Sequence, residues 1–143
     1  MSTTSTIARI LQDARIIAIV GLSDKPERAS HQVAEYLIGH GYQVVPVNPA
    51  LAGQDVLGQR AFATLAEAAA FVAPQRIDIV DVFRKAEDIV PIAREAVAIR
   101  AGCLWLQLDV VNEEAAAIAR AAGLEVVMDH CTKIEHRNLA VTA

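Results

Sequence analysis

The chain has 143 residues, a net charge of -4 at pH 7, and a composition that is 54% hydrophobic but only 4% aromatic. A domain of about 150 residues buries roughly 70% of the surface its unfolded chain exposes, so this length supports one two-sided core without metal or disulfide staples. An acidic balance without blocks of like charge argues against a general attraction to DNA, RNA or anionic membrane, and the scarcity of aromatics argues against base-stacking modules.

Residues 7–14 predict a short leading helix with Ile7, Ile10 and Leu11 on one face. Ile16–Val20 is a wholly apolar run ending at Gly21, the pattern of a strand buried on both faces. Ser30 is expected to cap a helix running to about His40, with Val33, Ala34 and Leu37 inward and Gly41 as its stop. Residues 42–47 read as the second strand, closed by Pro46, Asn48 and Pro49. Residues 51–58 read as a loop around Gly53 and Gly58, and residues 60–63 as a very short strand. Thr64 then caps an Ala-rich helix to about Val72.

Residues 77–83 predict a strand interrupted by Asp78 and Asp81. In residues 87–100, Ile89, Ile92, Ala93, Ala96 and Val97 keep helical spacing, and Pro91 must lie in the first turn, where a missing N–H costs little. Residues 103–108 form a strand. Asn112 caps the next helix, with Glu113 and Glu114 at its positive end and Gly123 as its stop. Residues 124–127 are the last strand, and residues 132–138 a short closing helix.

Strands alternating with helices of this length imply βαβ units. The expected fold is α/β: a Rossmann-like, doubly wound parallel sheet in a single three-layer αβα domain over residues 1–143. The expected strand order is 3-2-1-4-5-6, with the element near Phe62 as strand 3. Ligands of such sheets bind outside the carboxyl ends of the strands, where the order reverses.

Cys103 and Cys131, the only cysteines, make no disulfide framework, and no zinc-ligand cluster accompanies them. No apolar run approaches the ~20 residues that span a bilayer. Residues 1–6 are polar and uncharged, unlike a signal peptide, so a cytoplasmic location is the expectation.

Three loops leave the carboxyl ends near the switch point. The first runs Gly21-Leu22-Ser23-Asp24-Lys25-Pro26-Glu27-Arg28-Ala29-Ser30. It exceeds the usual 2–6 residues of a βα connection and leads into a helix N-terminus, whose free N–H groups and dipole favour an anion. Lys25 and Arg28 supply local charge, and Ser23 and Ser30 supply hydroxyls. The dinucleotide fingerprint G-x-G-x-x-G is absent, since Gly21 stands alone. The second strand ends Pro46-Val47-Asn48-Pro49, with no acid to hold a ribose 2′-OH. Both points count against an NAD(P)-binding oxidoreductase-like domain, which is kept as the alternative.

The second loop, at Asp81-Val82-Phe83-Arg84-Lys85, places two cations at a helix start, where they oppose the dipole unless an anion lies nearby. In the third segment, Trp105 reads as a core residue, and Gln107 at the strand's end is the better ligand contact. The polar stretch from Asp129 through His130 and Cys131 to His136 holds the ingredients of a thiol–histidine pair. Its preferred reading is a closing helix whose polar groups cap one another. A thiol-active protein using Cys131 is a further alternative.

Several stretches together resemble the small CoA-binding-domain proteins of the YccU-like family. They are residues 19–28, Val45-Pro46-Val47-Asn48-Pro49, Asp78 to Arg84, Trp105-Leu106-Gln107-Leu108 and Lys133-Ile134-Glu135-His136. That domain is similar to the N-terminal CoA-binding domain of the succinyl-CoA synthetase α subunit. The resemblance implies coenzyme A as ligand. It implies a phosphate loop at Ser23, Asp24, Lys25 and Pro26, with Gly21, Leu22, Arg28 and Ser30 around it. It implies Asn48 and Pro49 on the adenosine side, Val82, Phe83 and Arg84 along the pantetheine or pyrophosphate, and Trp105, Leu106 and Gln107 as floor. The family often carries a basic residue after its Asn-Pro turn; here Ala50 and Leu51 follow, and Arg28 is the available cation. The synthetase draws a phosphorylated histidine from a further domain, so its ligase activity is not implied. The expectation is a stand-alone CoA or acyl-CoA binding protein acting as carrier, sensor or partner subunit, without a catalytic constellation, a metal, a nucleic-acid partner or a membrane.

Overall fold

A computed structural model describes residues 3–142. In chain order its elements are α1 (Thr3–Asp13), β1 (Ile16–Val20), α2 (Ala29–Gly39), β2 (Gln43–Val47), β3 (Asp55–Val56), β4 (Gln59–Arg60), α3 (Leu65–Val72), β5 (Ile79–Val82), α4 (Ile89–Ala98), β6 (Cys103–Leu106), α5 (Glu113–Ala121), β7 (Glu125–Val127) and α6 (Thr132–Thr142). The main sheet runs β2-β1-β5-β6-β7 with every pair parallel. Its register places Ile19 beside Pro46 on one side and Asp81 on the other, and Asp81 beside Trp105.

Beyond β2, Phe62 makes a single parallel bridge to Val47. The expected order therefore holds, with its outermost strand reduced to one bridge. The residues before it pair elsewhere: β3, inside the expected loop of residues 51–58, forms an antiparallel hairpin with β4, whose Arg60 was expected in the short strand. Its turn residues Leu57 and Gly58 sit at φ 53° and 76°, the left-handed pair that matches strand twist in a two-residue hairpin.

Strand alternation splits the core in two. Ile17, Ile19, Ile79, Cys103 and Trp105 pack under α1, α2 and α6. Ile16, Ala18, Val20, Val80, Val82, Leu104 and Leu106 pack under α3, α4 and α5. Small fully buried residues such as Ala93, Ala96, Ala115 and Ala119 let these helices lie close to the sheet.

Two helix starts match their sequence signals. Thr64 Oγ1 accepts the Glu67 N–H at 3.1 Å, and Asn112 Oδ1 accepts the Ala115 N–H at 2.9 Å. Pro91 is the third residue of α4, which a short 3₁₀ turn at Ala86–Asp88 precedes. The start of α2 differs from expectation. The helix begins at Ala29, Arg28 occupies the cap position without a side-chain cap, and Ser30 lies inside the first turn. Its Oγ instead accepts the Ser23 N–H at 3.0 Å, because the preceding loop folds back over it. Asp78 interrupts its apolar segment for a reason of its own: Oδ2 accepts the N–H groups of Arg15 and Ile16 at 2.8 and 2.9 Å, clasping the start of β1. Among the described residues, no helix is long and apolar enough to cross a membrane.

Candidate functional site

Because the main sheet is parallel, the loops after β1, β2, β5 and β6 all emerge on one edge. The centre of that edge is Gly21. Its N–H donates to the Val47 carbonyl at 2.8 Å, tying the loop to β2. Its φ is +85°, and a Cβ there would lie 2.4 Å from the Phe83 carbonyl oxygen and 3.3 Å from Arg84 Nε. Only glycine meets both demands, so the first loop lies directly against the loop after β5.

The loop then winds into a compact turn. Leu22 is buried beneath it, Lys25 N–H donates to Ser23 Oγ at 3.1 Å, and Arg28 N–H donates to the Lys25 carbonyl at 3.0 Å. The hydroxyls of Ser23 and Ser30 thus hold the loop's own backbone. The starts of α2 and α4 have no side-chain cap, whereas α3 and α5 have one each. A helix end of this kind presents unsatisfied N–H groups and the positive end of its dipole, which suits a phosphate. Asp24, Lys25, Pro26 and Arg28 are exposed along the turn. None of the ion pairs among the described residues uses Lys25, Arg28, Arg84 or Lys85.

After β2, the Asn48 side chain staples two loops. Its Nδ2 donates to the Leu22 carbonyl at 3.1 Å, and its Oδ1 accepts the Ala50 N–H at 3.0 Å. Pro49 walls a cavity of about 280 Å³ with Val20, Val47, Ala63 and Thr64. A second cleft, of about 500 Å³, lies between the loops after β5 and β6, against Phe83, Lys85, Asp88, Gln107 and Leu108. Arg84 lines both, so the two hollows share its side chain as a wall, close to Gly21. The larger falls within the range of small-molecule sites, about 300–1,000 Å³, and the smaller lies just below it.

Several residues that the resemblance brings to the site have fully buried side chains. Leu22, Val82, Trp105 and Leu106 are each 0% exposed. Trp105 lies in the core beneath α1, α2 and α6, and its Nε1–H donates to the His130 carbonyl at 2.8 Å. These four shape the edge from below, whereas Pro49, Phe83, Arg84 and Gln107, also brought to the site by the resemblance, line its hollows.

Gln107 belongs to a buried network that sequence reasoning did not assemble. Its Nε2 donates to Asp81 Oδ1 and lies 3.3 Å from Thr132 Oγ1. Thr132 Oγ1 donates to Asp81 Oδ2 at 2.9 Å. Burial pushes the Asp81 carboxyl up to about 7, against the two hydrogen bonds that favour its charged form. The only sequence signal was an acid breaking an apolar strand. Its partners come from just past the end of β6 and from the start of α6, 26 and 51 residues away.

At the start of α6, Cys131 is half-buried with a free thiol. The neighbouring imidazoles are engaged elsewhere: His130 Nδ1 lies 3.4 Å from Glu135, and His136 Nδ1 is 2.8 Å from the Tyr36 hydroxyl. The described residues contain no cluster of three or more His, Cys, Asp or Glu side chains suited to a metal ion.

Residues 15–137 match the model of the CoA binding domain family. Protein YneT of Bacillus subtilis (strain 168) is 40% identical over 130 residues, which is 91% of each chain. A protein from Pyrococcus horikoshii OT3 has a similar structure, with a TM-score of 0.87 and 35% identity over 97% of this chain and 93% of that one. An acetyl-coenzyme A synthetase of Ca. Korarchaeum cryptofilum shares the fold alone, at 17% identity and a TM-score of 0.63, over 78% of this chain and 25% of that one. By the extent of the family match and its likeness to YneT, the chain belongs to the CoA binding domain family.

Proposed function

We propose that this protein binds coenzyme A or an acyl-CoA across the carboxyl edge of the sheet, and acts as a carrier, sensor or partner subunit rather than as an enzyme. The observation that carries the reading is the start of α2: an uncapped helix end, reached through a glycine-pinned loop, with Lys25 and Arg28 beside it. The phosphates are assigned to that turn, the adenosine to the hollow beside Pro49, and the pantetheine arm to the cleft beyond Arg84. NAD fits less well, because β2 ends in Val47, Asn48 and Pro49 without an acid for the ribose, and the first loop has one glycine.

Thermal unfolding with CoA, dephospho-CoA and NAD tests this. A ligand at 100 times its dissociation constant adds about 2.7 kcal/mol, worth several degrees in a domain of this size. CoA should raise the midpoint and NAD should not; a shift with NAD alone would sink the reading. Lys25→Gln and Arg28→Gln should each weaken CoA about fivefold at low salt and less at high salt, as exposed charges do.

A further inference from the structure

The cleft between the loops after β5 and β6 has an unusual outer lip. Large apolar side chains that are well exposed number four among the described residues: Phe71, Leu108, Val111 and Ile134. Two of them share one turn: Leu108, 51% exposed, lines this cleft, and Val111, 47% exposed, follows just outside its lining. Half-buried Val110 between them also lines it, and Phe83 faces it from the other wall.

That turn is held in place. Asp109 takes a left-handed conformation, φ 67°, and its N–H donates to Asp129 Oδ1 at 2.7 Å. Val110 N–H donates to the Gln107 carbonyl at 3.0 Å. The next residue but one, Asn112, caps α5 and also donates Nδ2–H to the Ala86 carbonyl at 2.8 Å. Ala86 follows the other wall of the cleft, so this bond ties the two walls together. A backbone fixed this firmly keeps apolar side chains in water, at the mouth of a preformed hollow of about 500 Å³. Leaving them there forfeits the burial that each would otherwise gain.

Resting on the CoA reading, we infer that Leu108 and Val110, on the turn after β6, seat the apolar acyl group of a CoA thioester. The cleft adjoins the phosphate turn through Arg84, and β2, β1, β5 and β6 follow in order along the edge. A ligand lying along that edge crosses three strand spacings of ~4.8 Å, about 14 Å, before it reaches the lip. Its far end meets Leu108 and Val110 there, and an aliphatic chain buries against them. A carboxylate against Leu108 and Val110 would lose water without an apolar contact, a loss that the exposed Arg84 and Lys85 in the same cleft only offset, so succinyl-CoA gains nothing over CoA.

Equilibrium binding of CoA, butyryl-CoA, octanoyl-CoA and succinyl-CoA tests this, read as the ratio of each Kd to that of CoA in the same protein. Affinity should rise along the aliphatic series, by up to about fourfold for each methylene buried. Octanoyl-CoA should bind at least about tenfold tighter than CoA, and succinyl-CoA no tighter. Leu108→Ser and Val110→Ser alter the two apolar side chains of this turn that line the cleft, and each should cut the octanoyl ratio severalfold. If CoA binds and octanoyl-CoA binds equally, the inference falls and the CoA reading stands. A ratio that neither substitution alters also overturns it. If no member of the series binds, both fall. Sedimentation adds a further arm: a concentration-dependent dimer abolished by Leu108→Ser, with a flat acyl series, makes the turn a protein contact and overturns the inference.

Discussion

Gly21 and Asp81 show two ways in which one residue can govern this edge. At Gly21 an alanine would need a left-handed backbone and would press its Cβ to 2.4 Å from the Phe83 carbonyl. Gly21→Ala should cost about 1–3 kcal/mol in chemical denaturation and should also weaken CoA by moving the loop after β5. At Asp81 the effect is on pH. Its carboxyl titrates at about 7 in the folded chain against an ordinary 3.8. Between those values the folded state keeps a proton that the unfolded state has lost, so stability falls as pH rises. The slope is at most about 1.4 kcal/mol per pH unit, and the loss is complete above about pH 7. Asp81→Asn removes the titration. Urea denaturation at pH 5 and pH 8 should find the wild type losing stability relative to Asp81→Asn at the higher pH, and an unchanged gap would contradict the assignment. Gly21 was legible in sequence because a glycine ending an apolar run already marks a tight turn. Asp81 was not, because its meaning depends on Gln107 and Thr132, which only the folded sheet brings to it.

At the scale of elements, what was legible followed from how local the interaction is. The caps by Thr64 and Asn112 join residues three apart, so sequence spacing identified them. Ser30 joins Ser23 seven residues earlier, through a loop path that spacing does not reveal. The element near Phe62 was misjudged in extent, since residues 59–60 pair backward into a hairpin and Phe62 alone reaches β2. The uncapped start of α2 is the element-scale counterpart of the proposed function. Placing a serine at the cap position, Arg28→Ser, should supply the missing acceptor and stabilise the ligand-free protein by about 0.5–1 kcal/mol. The same change removes a cation and lets a hydroxyl compete with phosphate for the N–H groups, so CoA should bind about tenfold more weakly. Parallel thermal and binding measurements check the pair; a variant that gains stability and keeps its affinity would place the phosphates elsewhere.

Across the whole molecule, right-handed crossovers made the strand order predictable, and the order places every candidate loop on one edge. The opposite edge has a separate cavity of about 430 Å³, lined by Leu11, Arg15, His40, Tyr42 and His136. The two ends are bridged by α6, which begins at Thr132 on the Asp81 network and carries His136, whose Nδ1 meets the Tyr36 hydroxyl of α2. The same two helices therefore connect the two edges of the sheet. Hydrogen exchange distinguishes binding at one edge from binding at the other. A ligand seated on the carboxyl edge should slow exchange at residues 21–31, 48–51, 83–88 and 107–112, where its contacts and the loops it fixes lie. Residues 11–15 and 40–42 should exchange at the same rate with and without CoA. Protection confined to that second set would move the ligand to the far cavity. Protection spread evenly over both would mean that CoA acts through global stability alone, which a variant weakened at Lys25 should then lose in proportion at every site.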